Sequence, residues 1–363
     1  MKFDFVIGNP PYQEYKNKTE TQTQGNSNWI YQYFQNEADK IGECSCLIYP
    51  FGGWFDAPER LGGLGNKILG DMHTISVKAY EGTTDKRAWY RNDKAPSPIF
   101  GNNANLSAGV SIVIRDKKVH EKLKYSNRIY SDDTVEIEAG NIDALAPNPI
   151  FIKINSKLKG TKLNTQIKKA MFGIESNFVE ENPTKVSFNK DDWKNPIQLL
   201  TNDKSGSSGR ATLYWADRSV LNKGSEYIEY YKVIMTSAYP KKSIVSGKPT
   251  VGNVKKRLSE LIEILPQNSA FGNSRLALLF SKSKIECDNF IKYTQTNFFA
   301  GLTLQEPNRR SSFGHIIPLQ NFTSESDIDW TATVDEIDQQ LYKKYNITKE
   351  EIDFIENNGK EME

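Results

Sequence analysis

The feature that most restricts this chain stands at its amino end. An apolar run, Phe-Asp-Phe-Val-Ile-Gly at residues 3–8, leads without a linker into Asn9-Pro10-Pro11-Tyr12. A short apolar run ended by glycine reads as a buried strand of a parallel sheet. The second proline holds the Pro10 carbonyl rigid and has no N–H to compete for it. Loops at the carboxyl ends of parallel strands are where α/β sheets hold ligands, which makes this turn the candidate site.

The rest of the chain supplies the sheet such a strand needs. Residues 28–41 place Trp29, Ile30, Tyr33, Phe34, Ala38 and Ile41 at helical spacing, with Asn28 as the expected cap. Cys44–Tyr49 reads as a second buried strand stopped by Pro50, Ile75–Tyr80 as a third and Val110–Arg115 as a fourth. That rhythm is α/β. Beyond about residue 125 the strands shorten and Asn, Lys and Ser rise. Residues 203–210 form a polar Gly/Ser loop, while Tyr227–Met235 and Leu276–Phe280 read as strands of a second domain. Thr333 with Glu336, and Thr348 with Glu351, match the capping box and predict two terminal helices.

The turn suits one chemistry in particular. Adenine N6 is a poor nucleophile because its lone pair is delocalised into the ring. Two acceptors aimed at the amino hydrogens return electron density to nitrogen. The Asn9 side-chain oxygen and the Pro10 carbonyl are such acceptors, with Pro11 as the brace. Tyr12 adds an aromatic face for a base that has left the helix stack, as base-modifying enzymes require.

FDFVIGNPPY resembles the catalytic motif of amino-methylating DNA methyltransferases, and NPPY the N6-adenine subclass. Further segments resemble the same family in order: LIYPFGGWF at 47–55, LGGLGNKIL at 61–69, residues 99–118, MFGIESNF at 171–178, PLQNF at 318–322, DIDW at 327–330 and residues 336–356. The family is that of type II/IIG restriction–modification methylases. The resemblance implies a partial Rossmann-like methyltransferase sheet over residues 1–125, a mixed α/β DNA target-recognition domain over 126–330 and C-terminal helices over 331–363. It implies methyl transfer from S-adenosyl-L-methionine to adenine N6 in double-stranded DNA, with Asn9, Pro10, Pro11 and Tyr12 at the base.

Family members hold the cofactor through a Gly-rich loop and an acidic strand end, both upstream of NPPY. Here NPPY starts at residue 9, and Gly63-Leu64-Gly65, the one tempting substitute, follows no strand. The chain alone is therefore expected to bind S-adenosyl-L-methionine weakly or not at all, and Phe3–Ile7 is expected to have an open edge. A split-enzyme subunit paired with a second polypeptide, a fragment of a longer frame and an inactive remnant all fit. A non-catalytic DNA-recognition subunit is the competing reading.

Other features narrow the field less. With 47 Lys and Arg against 45 Asp and Glu, the net charge is +2, so DNA affinity must rest on local clusters. Those clusters are Lys241, Lys242, Lys248, Lys255, Lys256 and Arg257, then Arg309 and Arg310, the last pair in a polar loop able to reach base edges. Cys44 and Cys46 share a strand face and are expected to pack in the core; with Cys287 they fit a reducing, cytoplasmic setting. His73, His120 and His315 lie far apart in sequence, and no metal site is expected. Asp327 and Asp329 read as helix-start residues. No signal peptide is visible, and no apolar run approaches the roughly 18 residues of a membrane span.

Overall fold

A computed structural model describes residues 2–15, 27–51, 54–55, 60–80, 109–127, 134–137, 149–206, 209–236, 262–303 and 313–360. The chain divides into two compact units, Met1–Lys157 and Leu158–Glu363. The fold is α/β throughout.

The first unit is built on one six-stranded sheet. Its strands are β1 (Phe3–Gly8), β4 (Gly42–Pro50), β5 (Thr74–Tyr80), β6 (Val110–Asp116), β7 (Leu123–Asn127) and β8 (Thr134–Ile137), in the order β1-β4-β6-β5-β7-β8. β1 runs parallel to β4, and β6 lies antiparallel between β4 and β5. A two-stranded ribbon, β2 (Gln13–Tyr15) with β3 (Ser27–Trp29), leads into helix α1 (Tyr31–Ile41). Helices α2 (Arg60–Gly70) and α3 (Pro149–Lys157) complete the described part. The first unit therefore runs on through β7, β8 and α3, past the boundary near residue 125 that composition suggested.

Alternation along β4 decides which face is covered. Ser45, Leu47 and Tyr49 are buried, on the α1 side: the Gln35 amide reaches Ser45 Oγ (3.4 Å) and the Tyr49 hydroxyl donates to Gln35 Oε1 (3.2 Å). The register puts Phe5 beside Cys44, Ile7 beside Cys46, Cys46 beside Ile114 and Ile48 beside Ile112. These residues share the opposite face, and it is apolar yet incompletely covered. Phe5 is 69% exposed and Ile7 79%, while Cys44, Cys46, Ile48, Ile112 and Ile114 are half-buried. So β1 is an edge strand as expected, but not a buried one, and the two cysteines share a face without entering the core.

The second unit holds two small sheets and a helical layer. β10 (Pro196–Asn202) pairs antiparallel with β11 (Ala211–Asp217) and parallel with β14 (Ser269–Phe271). β12 (Tyr231–Thr236) lies antiparallel between β13 (Ile262–Leu265) and β15 (Arg275–Ser281), and the short β9 (Lys168–Lys169) edges β15. Phe172, Leu199, Ile234 and Phe271 meet in their common core. Two 203–210 loop bonds, Asp203 N–H to the Arg210 carbonyl (2.9 Å) and Arg210 N–H to Asp203 Oδ1 (2.7 Å), close the β10–β11 hairpin. The strand expected over 227–235 starts later, because residues 225–227 form a 3-10 turn.

After a short helical turn, α4 (Phe178–Glu181), the helices are α5 (Lys284–Gln295), α6 (Asn297–Thr303), α7 (Val334–Lys344) and α8 (Lys349–Lys360). The Asp338 carboxylate on α7 accepts the first N–H groups of α6, from Asn297 and Phe298, both at 2.8 Å. A Cβ at Gly301 would lie 2.9 Å from Ile355, so glycine lets α6 and α8 approach closely. The terminal helices are thus part of the second unit's packing. Both capping boxes form: Thr333 with Glu336, and Thr348 with Glu351. Asp327 pairs with Lys344 and Asp329 accepts from Thr331 N–H, as befits residues leading into a helix.

Candidate active site

Asn9-Pro10-Pro11-Tyr12 leaves the carboxyl end of β1 and runs straight into β2. Pro10 is buried and anchors the turn, while Asn9 and Pro11 are exposed and Tyr12 is half-buried. The Tyr12 carbonyl accepts from Ile30 N–H at 3.1 Å, which ties the turn to the start of α1. The Tyr12 ring stands edge-on to Tyr31, centroids 6.5 Å apart at 82°. Burial raises the Tyr12 hydroxyl above the ordinary phenol range, and a side-chain hydrogen bond with Asn9 lowers it in part.

Beneath the turn lies an aromatic stack. Tyr31 meets Trp29 edge-on (5.7 Å) and stacks on Tyr49 (5.2 Å, 16°), and Tyr49 meets Trp54 edge-on (6.0 Å). Tyr31, Tyr49 and Trp54 are fully buried. Burial also drives the Tyr31 and Tyr49 hydroxyls upward, so both stay neutral at any physiological pH.

Polar groups continue the support away from the turn. Gln35 Nε2 donates to Asp39 Oδ1 (2.8 Å). Asp39 pairs with Arg115 (3.2 Å) and with Lys67 (2.7 Å), and Arg115 reaches Asp71 (2.6 Å) and Thr74 Oγ1 (3.0 Å). Arg115 is buried, and a buried guanidinium needs such pairing. The Asp71 carboxyl, raised by burial, is lowered overall by the His73 backbone N–H and by Arg115. The network fixes α1, and hence Tyr31, against β4 and β6.

None of this support was anticipated. The available signal was polar: Gln35 falls on the buried face of α1 and Arg115 in the largely apolar β6, where a single unpaired group is costly. The helix also starts at Tyr31, not near Asn28, because residues 27–29 pair with 13–15; Ile30 takes the cap position with no side-chain bond.

The remaining expected residues fare differently. Lys241, Lys242, Lys248, Lys255, Lys256, Arg257, Arg309 and Arg310 lie outside the described residues. His73 and His120, distant in sequence, come together with ring centroids 4.3 Å apart. Among the described residues no three His, Cys, Asp or Glu side chains group as a metal site would need. No helix among them is long and apolar enough to cross a membrane. The Leu61, Gly62 and Gly63 turn has φ of 55°, 68° and 78°, and Leu64 and Gly65 beyond it are buried in α2. This turn opens a packed helix.

Comparison with known proteins adds the following. Among curated proteins none matches this chain in sequence. Two solved structures are similar at a low level: the type IIL restriction-modification enzyme MmeI in complex with DNA, and the type IIG restriction endonuclease BpuSI. MmeI shares 10% identity at a TM-score of 0.32, the match covering 99% of this chain and 57% of MmeI. BpuSI shares 9% at 0.32, covering 99% and 53%. The chain thus spans a little over half the length of either enzyme. Residues 1–84, which hold β1, the Asn9–Tyr12 turn and its aromatic support, match the family of Eco57I restriction-modification methylases.

Proposed function

We propose that this chain carries the target-base part of a DNA methyltransferase that methylates adenine N6 in a restriction–modification or phage-defence system. The observation that supports this most is the stance of Asn9: exposed at the carboxyl end of β1, beside a buried Pro10 and a Tyr12 ring fixed against Tyr31. The Asn9 side-chain oxygen and the Pro10 carbonyl accept the two N6 hydrogens of a flipped adenine. Tyr12 stacks on its ring. Acceptors held by the turn in this way would stabilise the developing charge with little reorganisation during reaction.

S-adenosyl-L-methionine is the methyl donor this reading requires. In the described sheet β1 is the edge strand, with its far side unpaired. A further segment, in the same polypeptide or in another, is what this edge suits. Such a segment adds a strand to β1 and lays a helix over the bare Phe5–Ile7 face, since sheets with parallel strands are covered on both sides. A second copy of this chain fits less well: pairing β1 with β1 would leave both bare faces uncovered. The second unit is assigned to DNA target recognition, with the basic clusters at 241–257 and 309–310 on phosphates and bases.

Asn9→Ala in the complete enzyme tests the catalytic assignment. Methylation of adenine, measured by mass spectrometry of DNA digests, should fall on the order of 100-fold or more, with DNA binding retained. Turnover close to wild type would remove Asn9 from the chemistry and favour a chain that only recognises DNA.

A further inference from the structure

Two polar atoms below the Asn9–Tyr12 turn lack a hydrogen-bond partner although both are buried: the Tyr31 hydroxyl and the Trp54 indole N–H. They belong to one stack, with Tyr49 between them. The Tyr49 hydroxyl, by contrast, is satisfied by Gln35. Buried polar groups are nearly always paired, and an orphaned donor destabilises the state that holds it. Phenylalanine would fill the Tyr31 ring position without that cost. A local rule broken with no structural gain marks a place where function sets the residue.

The two orphans differ in position. Tyr31 directly touches the Tyr12 ring, and the residue before it, Ile30, donates its N–H to the Tyr12 carbonyl. Trp54 is two rings farther from the turn. A base that stacks on or displaces Tyr12 comes against Tyr31 next. With its amino group engaged by Asn9 and Pro10, deoxyadenosine still offers ring nitrogens and sugar oxygens, all of them acceptors suited to a phenol O–H.

We propose that Tyr31 is a binding residue for the target nucleotide, its hydroxyl held unpaired in the DNA-free protein and donated to an acceptor of the displaced deoxyadenosine. The assignment rests on the reading of Asn9–Tyr12 as the base site. Trp54 lies outside it and serves as the internal control. The protein gives up stability at Tyr31 and recovers it when the base is bound, which couples base capture to tightening of the turn.

The test uses the full chain and a short single-stranded oligodeoxyadenylate carrying one 2-aminopurine, which presents its base without the cost of opening a duplex. Tyr31→Phe should unfold at higher temperature than wild type without the oligonucleotide, while Trp54→Phe, which leaves a cavity in a buried aromatic cluster, should unfold lower. Tyr31→Phe should then bind it about tenfold more weakly, the usual loss for one hydrogen bond, with a smaller fluorescence change. Trp54→Phe should bind like wild type. Tyr31→Phe that is more stable but binds normally would overturn the assignment, and so would Tyr31→Phe no more stable than wild type, since its hydroxyl would then be satisfied. Tyr12→Ala separates the two levels. If it loses binding while Tyr31→Phe does not, Tyr31 alone falls. If neither it nor wild type binds measurably, or both bind equally, the base-site reading falls as well.

Discussion

Single residues carry the sharpest departures from what the sequence displays. Lys232 lies in β12 within a run, Tyr227–Met235, that reads simply as a strand, yet it is fully buried. Its Nζ donates to the carbonyls of Ile228 (3.0 Å) and Ser269 (2.6 Å) and sits 5.6 Å above the Phe172 ring. No local pattern reveals this, because only the Ile228 carbonyl is near in sequence; the Ser269 carbonyl and the Phe172 ring come from elsewhere in the chain. Burial lowers the amine from 10.5 to about 7. The folded pKa is thus below the unfolded one, and between about 7 and 10.5 the unfolded chain binds the extra proton. Stability should rise with pH across that window and fall as pH drops back towards 7. Urea midpoints measured over the window should show this slope in wild type and not in Lys232→Met; equal slopes would mean that Lys232 is not the group responsible. The position of the Asn9–Tyr12 turn was legible for the opposite reason: an apolar run and two prolines set the end of the strand locally.

Secondary elements were legible where a single run supplies both pattern and stop signal. β4 ends at Pro50, β1 at Gly8, and β6 follows from Val110–Arg115 alone. The failures lie where a distant partner decides. Asn28 was lost as a helix cap because β3 pairs with β2. The exposure of β1 was invisible because an apolar run says nothing about what covers it. The α7 cap shows the reverse case, a local device that needs no partner: Glu336 N–H donates to Thr333 Oγ1 at 3.3 Å, and Thr333 N–H to the Glu336 carboxylate at 2.9 Å. Replacing Thr333 with alanine should destabilise the chain by about 1 kcal/mol, and serine should retain most of it. Chemical denaturation of the three proteins measures the difference, and an alanine variant as stable as wild type would show that α7 is held by its buried Ile337, Leu341 and Tyr342 alone.

At the level of the whole molecule, the two units differ in how their apolar side chains are covered. In the second, sheets and helices bury Phe172, Phe271, Phe298 and Phe299, and its exposed large apolar side chains, Phe188, Leu213 and Ile285, lie on different segments. The first ends at β1 with Phe3, Phe5 and Ile7 exposed along one face. An open apolar edge is prone to self-association, and lysine placed on it is a common remedy. The double substitution Phe5→Lys with Ile7→Lys should leave the fold intact, since both side chains already meet solvent. It should reduce aggregation seen by light scattering, and it should prevent methylation activity from being recovered with the donor-binding segment supplied. Recovery at the wild-type level would show that this face is not where that segment docks.

The bare face of β1 also bears on how the protein is kept in a cell. Chains with uncovered apolar surface are continuously triaged by chaperones and proteases, so their abundance follows how long that surface stays open. Under the reading proposed above, a segment that covers β1 would set the lifetime of this chain as well as its activity. Synthesis of the two in step, or as one translation product, would then leave no idle surplus of either.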